Sequence, residues 1–564
     1  MKSVLGYRVI YPLGLATLLL VGCGGGSNGD GGKASSAASE IKIISSSQLA
    51  ASSSSTVSSG ISSSVTSSVS APAKITSLSK SDVTKILAGN YIFAESSCSN
   101  CDQSATGYAW YVDGQDAPIS ATDRLLIDES IQSKTIRLTA TPYSPVGVAG
   151  NTESISLKSN KVEKIVPFES GYIAIKTDGS KVPWGYFGID ADLDVIRELD
   201  DPTQLKYSGL AFAALKNDGS VTAWGEPNWG GDSSGKDLTQ VVSVIAGGSA
   251  FAALKKNGTV VVWGNADKGG DATGIDLTNV ASVFTNGVAF VAIKKDGSAV
   301  TWGDQEWGGN SDGKDLSNIK TVVGNIYAFA AIKHNGEAVT WGRAERGGDS
   351  SGVDLTQVKA ISSADYGAFA ALKTDGTVVT WGHPERGGDS TGKDLTNVVS
   401  IVGNEYAFAA LKADGAVTTW GGVPSFSVWD SPTPIDVSGL DLTNIISVSS
   451  NKTSFAALKA NGTVVTWGKA ASGGDSSKVN LTNVKSITNS HFAYAALKTD
   501  GSVICWGSEH SDLINIKSIV ANRESFAAIT TEGDVRSWGI TSMSQEVRAA
   551  LAPADLILSS TLAR

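Results

Sequence analysis

The chain has 564 residues, of which 41% are hydrophobic and 18% are charged, and its net charge is −10. This length is too great for one compact core and indicates two or more folded units. An acidic chain lacks the basic face that displaces counterions from nucleic acid, so DNA and RNA are excluded as expected partners.

Residues 1–22 have the layout of a secretory signal. Lys2 and Arg8 supply the positive charge, and residues 9–21 form an apolar run. That run is too short for a spanning helix of the mature protein. We therefore expect residues 1–22 to be removed.

The end of this signal resembles that of bacterial lipoproteins. Residues 20–23 read Leu-Val-Gly-Cys, a small-residue site that ends in a cysteine. The resemblance implies acylation of Cys23, by palmitate among other chains, and several acyl chains anchor a protein firmly to a membrane. Gly24 replaces the aspartate that usually retains lipoproteins at the inner membrane. We therefore expect an outer-membrane anchor, with the protein periplasmic or surface-exposed.

Residues 23–78 are predicted to be a disordered tether. Their composition, as in AASSSSTVSSGISSSVTSSVSAPA, is almost entirely Ser, Gly, Ala, Thr and Val. Such a segment cannot bury enough apolar surface to offset the entropy of ordering. The expected reach of the tether is on the order of 40 Å.

Residues 79–160 alternate apolar and polar positions and are predicted to form a small β domain. The candidate strands are YIFAE, GYAWYVDG, DRLLID, KTIRLTATPY and TESISL. Trp110, before a DG turn, resembles the inward tryptophan of an immunoglobulin-like sandwich, which implies that fold here.

Three cysteines follow Cys23. Cys98 and Cys101 form a C-x-x-C pair in a polar loop, where a structural disulfide is expected and a redox pair is the alternative. Cys505 occupies a position that is Thr in several repeats, so we interpret it as a small buried residue.

Residues 161–545 contain a unit repeated ten times. The dipeptide Trp-Gly recurs at tryptophans 184, 224, 263, 302, 341, 381, 420, 467, 506 and 538, mostly 39 or 40 residues apart. Self-similarity at a fixed period indicates a repeat architecture. Each unit has an apolar segment, a second strand such as FAALK, an Asp-Gly or Asn-Gly turn, and a third strand ending in the tryptophan. These dipeptides favour the type I′ turn, so the second and third strands form a hairpin.

The second strand is apolar on both faces. In the unit AFAALKTDGTVVTWG, Phe369 and Ala371 face one way while Ala370 and Leu372 face the other. A sheet exposed to water on one side would not show this, so each sheet must lie between neighbours, as the blades of a β-propeller do. The repeated tryptophan is expected to lock adjacent blades together.

The pattern A-L-K-x-D-G-x-V-x-x-W-G resembles the repeat of the regulator of chromosome condensation family. The short unit is most similar to the secreted propeller that inhibits β-lactamases. The resemblance implies a β-propeller that binds other proteins. Family propellers usually have seven blades, whereas ten units are countable here. We expect one ring of ten, with seven or eight blades and irregular ends as the alternative. Residues 546–564 form a tail whose segment ADLILSS is a candidate ring-closing strand.

The residues after each repeat tryptophan vary and form a candidate binding rim. A constant frame with variable charged and aromatic loop tips is typical of repeat proteins that bind partners. Neutral drift on a solvated loop is the alternative. The variable positions two residues after the tryptophan are Glu226, Asn265, Asp304, Arg343 and His383, and those five residues after it are Trp229, Lys268, Trp307, Arg346 and Arg386.

Repeated aspartates in the same loops are candidate ligands for a metal ion. They include Asp232, Asp237, Asp349 and Asp354, which could offer oxygen ligands to Ca²⁺. The spacing of a calcium loop is absent, however, and Asp and Ser also cap turns with their own backbone. We therefore expect no metal and no cofactor.

The sequence favours a binding function over an enzymatic one. It has no GxSxG, HExxH, phosphate-loop or zinc-type cysteine motif. The leading hypothesis is a monomeric cell-envelope lipoprotein whose propeller rim binds a protein or a polysaccharide. The alternatives are a polysaccharide lyase or hydrolase on a propeller scaffold, and a passive spacer.

Overall fold

A computed structural model describes residues 74–78, 91–94, 96–112, 115–126, 135–159, 161–188, 191–424, 432–507, 513–539, 543–551 and 556–561. The signal peptide, Cys23 and most of the tether predicted from the sequence lie outside these residues. Within the described ranges, no helix has the length and apolar character needed to cross a membrane.

The part before the repeats consists of small antiparallel sheets. Its strands are β1 (Lys74–Leu78), β2 (Tyr91–Phe93), β3 (Ser96–Ser99), β4 (Asp102–Val112), β5 (Arg124–Leu126), β6 (Ile136–Tyr143) and β7 (Glu153–Ser159). Strand β1 pairs with β3, β2 pairs with β5, and β4, β6 and β7 share a third sheet.

The burial of Trp110 and the pairing of Cys98 with Cys101 are two predictions from the sequence that concern this part. Trp110 is buried, and its Nε1 donates a hydrogen bond of 2.9 Å to the carbonyl of Thr122. Cys98 and Cys101 are joined by a disulfide, with 5.9 Å between their Cα atoms. The strand pairing does not confirm the expected immunoglobulin-like arrangement.

The repeats form ten consecutive three-stranded antiparallel sheets, each with its second strand in the middle, and we name them blades 1 to 10. The strands of blades 1 to 5 are β8 (Val162–Pro167), β9 (Gly171–Lys176), β10 (Lys181–Gly185); β11 (Leu205–Ser208), β12 (Ala211–Leu215), β13 (Val221–Gly225); β14 (Val241–Ala246), β15 (Ala250–Lys255), β16 (Val260–Gly264); β17 (Val280–Thr285), β18 (Ala289–Lys294), β19 (Ala299–Gly303); and β20 (Ile319–Asn325), β21 (Ala328–Lys333), β22 (Ala338–Gly342).

The strands of blades 6 to 10 follow the same order. They are β23 (Val358–Ala364), β24 (Ala368–Lys373), β25 (Val378–Gly382); β26 (Val398–Gly403), β27 (Ala407–Lys412), β28 (Val417–Val423), with the short β29 (Thr433–Pro434) added; β30 (Ile445–Ser450), β31 (Ser454–Lys459), β32 (Val464–Gly468); β33 (Val484–Asn489), β34 (Tyr494–Lys498), β35 (Val503–Trp506); and β36 (Ile516–Ala521), β37 (Ser525–Thr530), β38 (Val535–Gly539).

Neighbouring blades bury a common apolar layer, as the two-sided pattern of the second strand predicts. Phe369 and Ala371 of blade 6 pack against Ala330 of blade 5, while Ala370 and Leu372 pack against blade 7. The repeat tryptophan completes the layer. Trp381 stacks on Phe369 with ring centroids 5.4 Å apart, and its Nε1 donates a 3.1 Å hydrogen bond to the carbonyl of Gly347 in blade 5.

The ring closes between blade 10 and blade 1. The N–H of Val162 donates to the carbonyl of Gly533 at 3.3 Å, and Tyr172 Oη lies 3.0 Å from Ser525 Oγ. Apolar side chains of both blades share one buried cluster. The protein is therefore a closed β-propeller, and the structure has ten blades in its described residues.

The C-terminal tail packs where blades 1 and 10 meet and then pairs with the sheets that precede the repeats. Helix α2 (Gln545–Leu551) buries Leu551 in the cluster shared by blades 1 and 10. Strand β39 (Leu556–Thr561) then pairs with β7, so it lies in the sheet before the repeats and in none of the blades. The one other α-helix of the described residues, α1 (Leu193–Glu198), connects blades 1 and 2.

Candidate functional site

Short helical turns follow the third strands of six blades, and we call them the rim turns. Each turn ends at a glycine pair that packs on the next blade. The N–H of Asn265, immediately before one of these turns, donates to the carbonyl of Ser249, which precedes the second strand of the same blade, at 2.9 Å. The rim turns therefore lie beside the connections between first and second strands, on one face of the ring. We call this the rim face and the opposite one, which carries the Asp-Gly and Asn-Gly turns, the hairpin face. The rim turns are Pro227–Trp229, Ala266–Lys268, Gln305–Gly309, Ala344–Arg346, Pro384–Arg386 and Ala470–Ser472.

The residues predicted as a binding rim all lie at these turns, but their side chains are directed largely into the protein. The first group stands immediately before the turns, and its members, all half-buried, are Glu226, Asn265, Asp304, Arg343 and His383. The second group closes the turns, and its members, half-buried apart from Arg386, are Trp229, Lys268, Trp307, Arg346 and Arg386.

Several of these side chains form a row of cations and aromatic rings across neighbouring blades. Lys268 pairs with Asp304, and its Nζ lies 5.5 Å from the ring centroid of Trp307. The Trp307 ring lies 4.7 Å from that of Tyr327. The guanidinium of Arg346 sits 5.1 Å from the same tyrosine ring. Cation–π contacts of this kind stabilise the packing between blades.

Arg386 ends this row and is only 5% exposed. Its guanidinium lies 5.3 Å from the ring of Tyr366 and 5.4 Å from the ring of Tyr406. Burial, together with the charges of Arg346 and Arg386, lowers the pKa of the neighbouring His383. This part of the predicted rim is therefore a packed layer beneath the surface.

The exposed positions of the rim turns are their first and second residues. They include Gln305 and Glu306 of blade 4 and Ala344 and Glu345 of blade 5. Between these two turns lies a groove of about 630 Å³, lined also by Arg343, whose guanidinium pairs with Glu306 at 3.4 Å and with Glu345. A second groove of about 450 Å³ occupies the equivalent place one blade earlier. The open surface of the rim therefore includes two neighbouring grooves that both have acidic residues at their edges.

A second set of variable residues, which the sequence did not single out, lies in the connections between first and second strands. We call these connections the hub turns, because the first strands of successive blades contact one another around the axis. Main-chain hydrogen bonds of 3.0–3.3 Å join consecutive hub turns from blade 5 through blade 10 and on to blade 1. We single out one titratable side chain from each of blades 6 to 10 and 1; Glu524 of blade 10 is also charged. In order, they are Asp365, Glu405, Lys452, His491, Arg523 and Glu169.

These six side chains are connected by two ion pairs and by the electrostatic effects of neighbouring charges, and we call them the hub arc. Lys452 Nζ lies 2.5 Å from Glu405 Oε1, and Arg523 Nη1 lies 3.2 Å from Glu169 Oε1. Nδ1 of His491 is buried and has no hydrogen-bond partner among the described residues. Charged groups so close together in a desolvated place shift one another's protonation.

The pKa shifts in the hub arc follow burial first and neighbouring charge second. Desolvation, with the negative charge of Glu405, raises the pKa of Asp365 to about 7. Desolvation, with the positive charges of Lys452 and Arg523, lowers the pKa of His491 to about 3. Burial also raises the pKa of Glu169, against the attraction of Arg523 and Lys452. Perturbed groups of this kind cluster at functional sites more often than elsewhere.

Rim turns and hub turns compensate for each other in size. In blade 2 the hub turn contains Gly209, where an added Cβ would lie 2.2 Å from the Trp229 ring. In blade 6 a Cβ on Gly367 would meet the side chain of Arg346 at 2.5 Å. In blade 8 the rim turn ends instead in the small Ser472, and the hub turn carries Lys452. The hub turns of blades 2 and 6 are thus covered by large rim residues, whereas the hub turn of blade 8 fills the equivalent space with a charged side chain of its own.

The repeated aspartates considered as calcium ligands have local partners. Asp232 and Asp349 each accept hydrogen bonds from the backbone and hydroxyl of the serine two residues later. Asp237 pairs with Lys255 at 2.5 Å, and Asp354 pairs with Lys373 at 2.5 Å. Within the described ranges, no three His, Cys, Asp or Glu side chains are grouped as a metal site would require.

No protein-family model and no curated protein matches this chain. Similar solved structures include the CRINKLY WD40 ectodomain of the receptor kinase ACR4 from Arabidopsis thaliana (14% identity, 47% of this chain and 95% of that chain, TM-score 0.27). They also include yeast RCC1 (Prp20) bound to Kap60 (17%, 61% and 81%, TM-score 0.27) and human WBSCR16 (14%, 80% and 92%, TM-score 0.22). At these scores the likeness carries no argument about function, and the fold is established by the strand order and ring closure described above.

Proposed function

We propose that this chain is a lipid-anchored binding protein of the bacterial cell envelope whose rim face engages another protein or a glycan. One observation carries the proposal. The repeats differ from one another at the rim turns and the hub turns, which share one face, while the hairpin turns opposite keep Asp-Gly or Asn-Gly in nine of ten units. A constant frame that varies on one face is how repeat proteins build a binding surface.

The contacts are assigned to the exposed rim positions rather than to the packed row beneath them. Glu306 and Glu345 border the larger groove, and Asp267 and Glu385 are exposed on the blades to either side. Carboxylates at a groove edge accept hydrogen bonds from ammonium, guanidinium or sugar hydroxyl groups. The packed cations and aromatic rings hold the turns in one conformation, which limits the entropy that binding must cost.

The test begins with the full-length protein in its own cells. A photo-reactive amino acid replaces Ala344 on the rim face or, as a matched control, Ala413 beside a hairpin turn; both alanines are exposed. We expect position 344 to capture a partner that position 413 does not capture. Equal capture from both positions would contradict a rim-face site.

The captured partner is then purified and titrated calorimetrically against two variants of equal charge change. Glu306→Gln with Glu345→Gln is expected to weaken binding about tenfold or more, as loss of charged hydrogen bonds at an interface does. Asp375→Asn with Asp414→Asn, exposed on the hairpin face, is expected to bind like the parent. Mass spectrometry of the ligand after incubation tests the further proposal that it is released unchanged, and light scattering tests that the protein is monomeric.

Membrane attachment is tested separately at Cys23. The motivation is the Leu-Val-Gly-Cys sequence that ends the apolar run. Cells fed an alkyne analogue of palmitate are expected to label the parent protein and not the variant Cys23→Ser, which should also leave the membrane fraction. Equal labelling of the two proteins would remove the anchor from the proposal.

A further inference from the structure

The first strand of nearly every blade carries a β-bulge at its second residue. In blade 5, for example, the pairing of β20 with β21 shifts between Ile319 and Thr321, and Lys320 is the extra residue. The same shift recurs in all blades except blade 2. A bulged residue leaves the ladder, and its side chain is turned away from the regular alternation. Here that side chain is exposed in every bulged blade.

The bulges lie at the inner ends of the blades, on the hairpin face. The first strands are innermost, because those of consecutive blades contact one another from blade 2 through blade 10 and on to blade 1. They also begin beside the hairpin turns, since the N–H of Val280 donates to the carbonyl of Gly258 at 2.8 Å. The exposed bulge residues therefore surround the axis where it opens on the hairpin face. We call this ring of residues the axial mouth.

The chemistry of the axial mouth differs from that of the chain as a whole. Although the net charge is −10, four of its bulge residues are exposed lysines, and one, Glu163, is acidic. None of the four lysines forms an ion pair within the described part of the chain. The lysines are Lys320 and Lys359 of blades 5 and 6, and Lys485 and Lys517 of blades 9 and 10.

The blades between the lysines present aliphatic residues at the same position. Val242 of blade 3 is 50% exposed, Val399 of blade 7 is 49% exposed, and Ile446 of blade 8 is 59% exposed. Ala281 of blade 4 is also exposed. The ring thus alternates in pairs, with two apolar blades, two lysine blades, two apolar blades and two lysine blades. Scattered exposed valines need no explanation, but branched side chains fixed at one equivalent position around an axis form a surface.

We propose that the axial mouth is a docking surface for an extended peptide segment of another protein that combines acidic and apolar side chains. Charge complementarity selects the acidic groups, because four lysines without an ion pair offer cationic contacts at this opening. The aliphatic residues select a peptide over an anionic polysaccharide, since sugar hydroxyl and carboxylate groups would leave Val399 and Ile446 without apolar contacts. The proposal concerns the hairpin face and does not rest on the function proposed for the rim face.

The test uses a fluorescein-labelled peptide of alternating Glu and Val residues and measures its binding to the full-length protein by fluorescence anisotropy. The quadruple change of Lys320, Lys359, Lys485 and Lys517 to Gln is expected to weaken binding at least tenfold. The matched control changes four exposed lysines outside the mouth, Lys236, Lys256, Lys393 and Lys478, to Gln. Its net charge equals that of the first variant, and it is expected to bind like the parent.

A second variant tests the apolar half of the surface. Val399→Ser with Ile446→Ser keeps all lysines and is expected to weaken binding of the Glu-Val peptide about fivefold while leaving the binding of oligoglutamate unchanged. These side chains are exposed, so circular dichroism melting should match the parent. The proposal is overturned if polygalacturonate binds as tightly as the Glu-Val peptide, if both lysine variants lose binding equally, or if the peptide does not bind the parent.

Discussion

Lys452 Nζ lies 2.5 Å from Glu405 Oε1, and both side chains are only 11% exposed. The two residues come from the hub turns of adjacent blades, whose backbones are joined by the hydrogen bond from Glu405 N–H to Lys452 C=O at 3.2 Å. An ion pair so little exposed is tied to the position of both blades, because separating the blades leaves two charges in a desolvated site.

The change Glu405→Gln is therefore expected to lower the free energy of unfolding by about 2–3 kcal/mol, since Lys452 stays in a desolvated site without its counter-charge. The matched control is Asp237→Asn. This carboxylate also pairs with a lysine, Lys255, but is 69% exposed, so solvent screens the pair and the change should cost far less. Urea denaturation measures both, and equal effects would contradict the ranking.

The change Asp365→Asn is expected to stabilise the protein at alkaline pH. The pKa of Asp365 is about 7 in the folded chain, against about 3.9 for an unfolded aspartate. The folded state thus holds the proton more tightly, and the stability that this group contributes is complete below about pH 4 and is lost as pH rises to 7. The variant lacks that loss, so its advantage over the parent should grow by about 4 kcal/mol between pH 4 and pH 8, because the two pKa values differ by about three units. A pH-independent difference in urea denaturation would contradict this assignment.

The change His491→Gln should affect stability at acidic pH, whereas the change at Asp365 acts at alkaline pH. Because the folded pKa is about 3 and the unfolded value is about 6.5, the stability from neutral His491 is present above about pH 6.5 and is lost as pH falls toward 3. The variant is expected to lose less of its melting temperature than the parent between pH 7 and pH 4. His334→Gln, at an exposed hairpin-turn position, serves as the control and should follow the parent.

The interface that closes the ring contains a hydrogen-bonded pair of residues. Both can be replaced together by the residues that are common at the other interfaces. Tyr172 Oη lies 3.0 Å from Ser525 Oγ, and most other interfaces have Phe and Ala at these positions. Each single change, Tyr172→Phe or Ser525→Ala, removes this buried hydrogen bond and should cost about 1–2 kcal/mol. The group that remains keeps a bond to Asn522, whose N–H donates to Tyr172 Oη and whose Oδ1 accepts from Ser525 Oγ. The double variant restores the common Ala–Phe pair and should cost less than the sum of the two. Additive effects in denaturation would argue against direct coupling.

That pair also shows how much of the fold the sequence contains. Ser replaces Ala at the start of the second strand in unit 8, and Tyr replaces Phe in unit 9; Tyr494 Oη donates to the carbonyl of Ser454 at 2.8 Å. The same exchange links Ser525 of unit 10 with Tyr172 of unit 1. Matching the units in this way supports the ring of ten that the repeat count predicts, because the last unit is complementary to the first. The two-sided pattern of Phe369 and Leu372 had already predicted stacked blades.

The site was harder to predict, for a physical reason. The sequence shows that the residues after the repeat tryptophan vary. It does not show whether a cation at such a position is exposed or buried between aromatic rings, as Arg386 is between Tyr366 and Tyr406. The hub arc depends on ring closure, which brings Arg523 to Glu169 across more than 350 residues. Its signal was nevertheless present, since its members stand two or three residues before the second strand of their blades.

The path of strand β39 has a consequence for synthesis. Blade 1 is finished at Gly185, but the blade that covers its other side and the strand that returns to β7 are made only after the eight blades between them. At roughly 5–20 residues per second, about 370 residues of translation leave the outer side of blade 1 bare for roughly 20–75 s. The apolar side of blade 1 therefore stays uncovered until blade 10 has been made, so the closed ring cannot form before nearly all of its repeats have been synthesised.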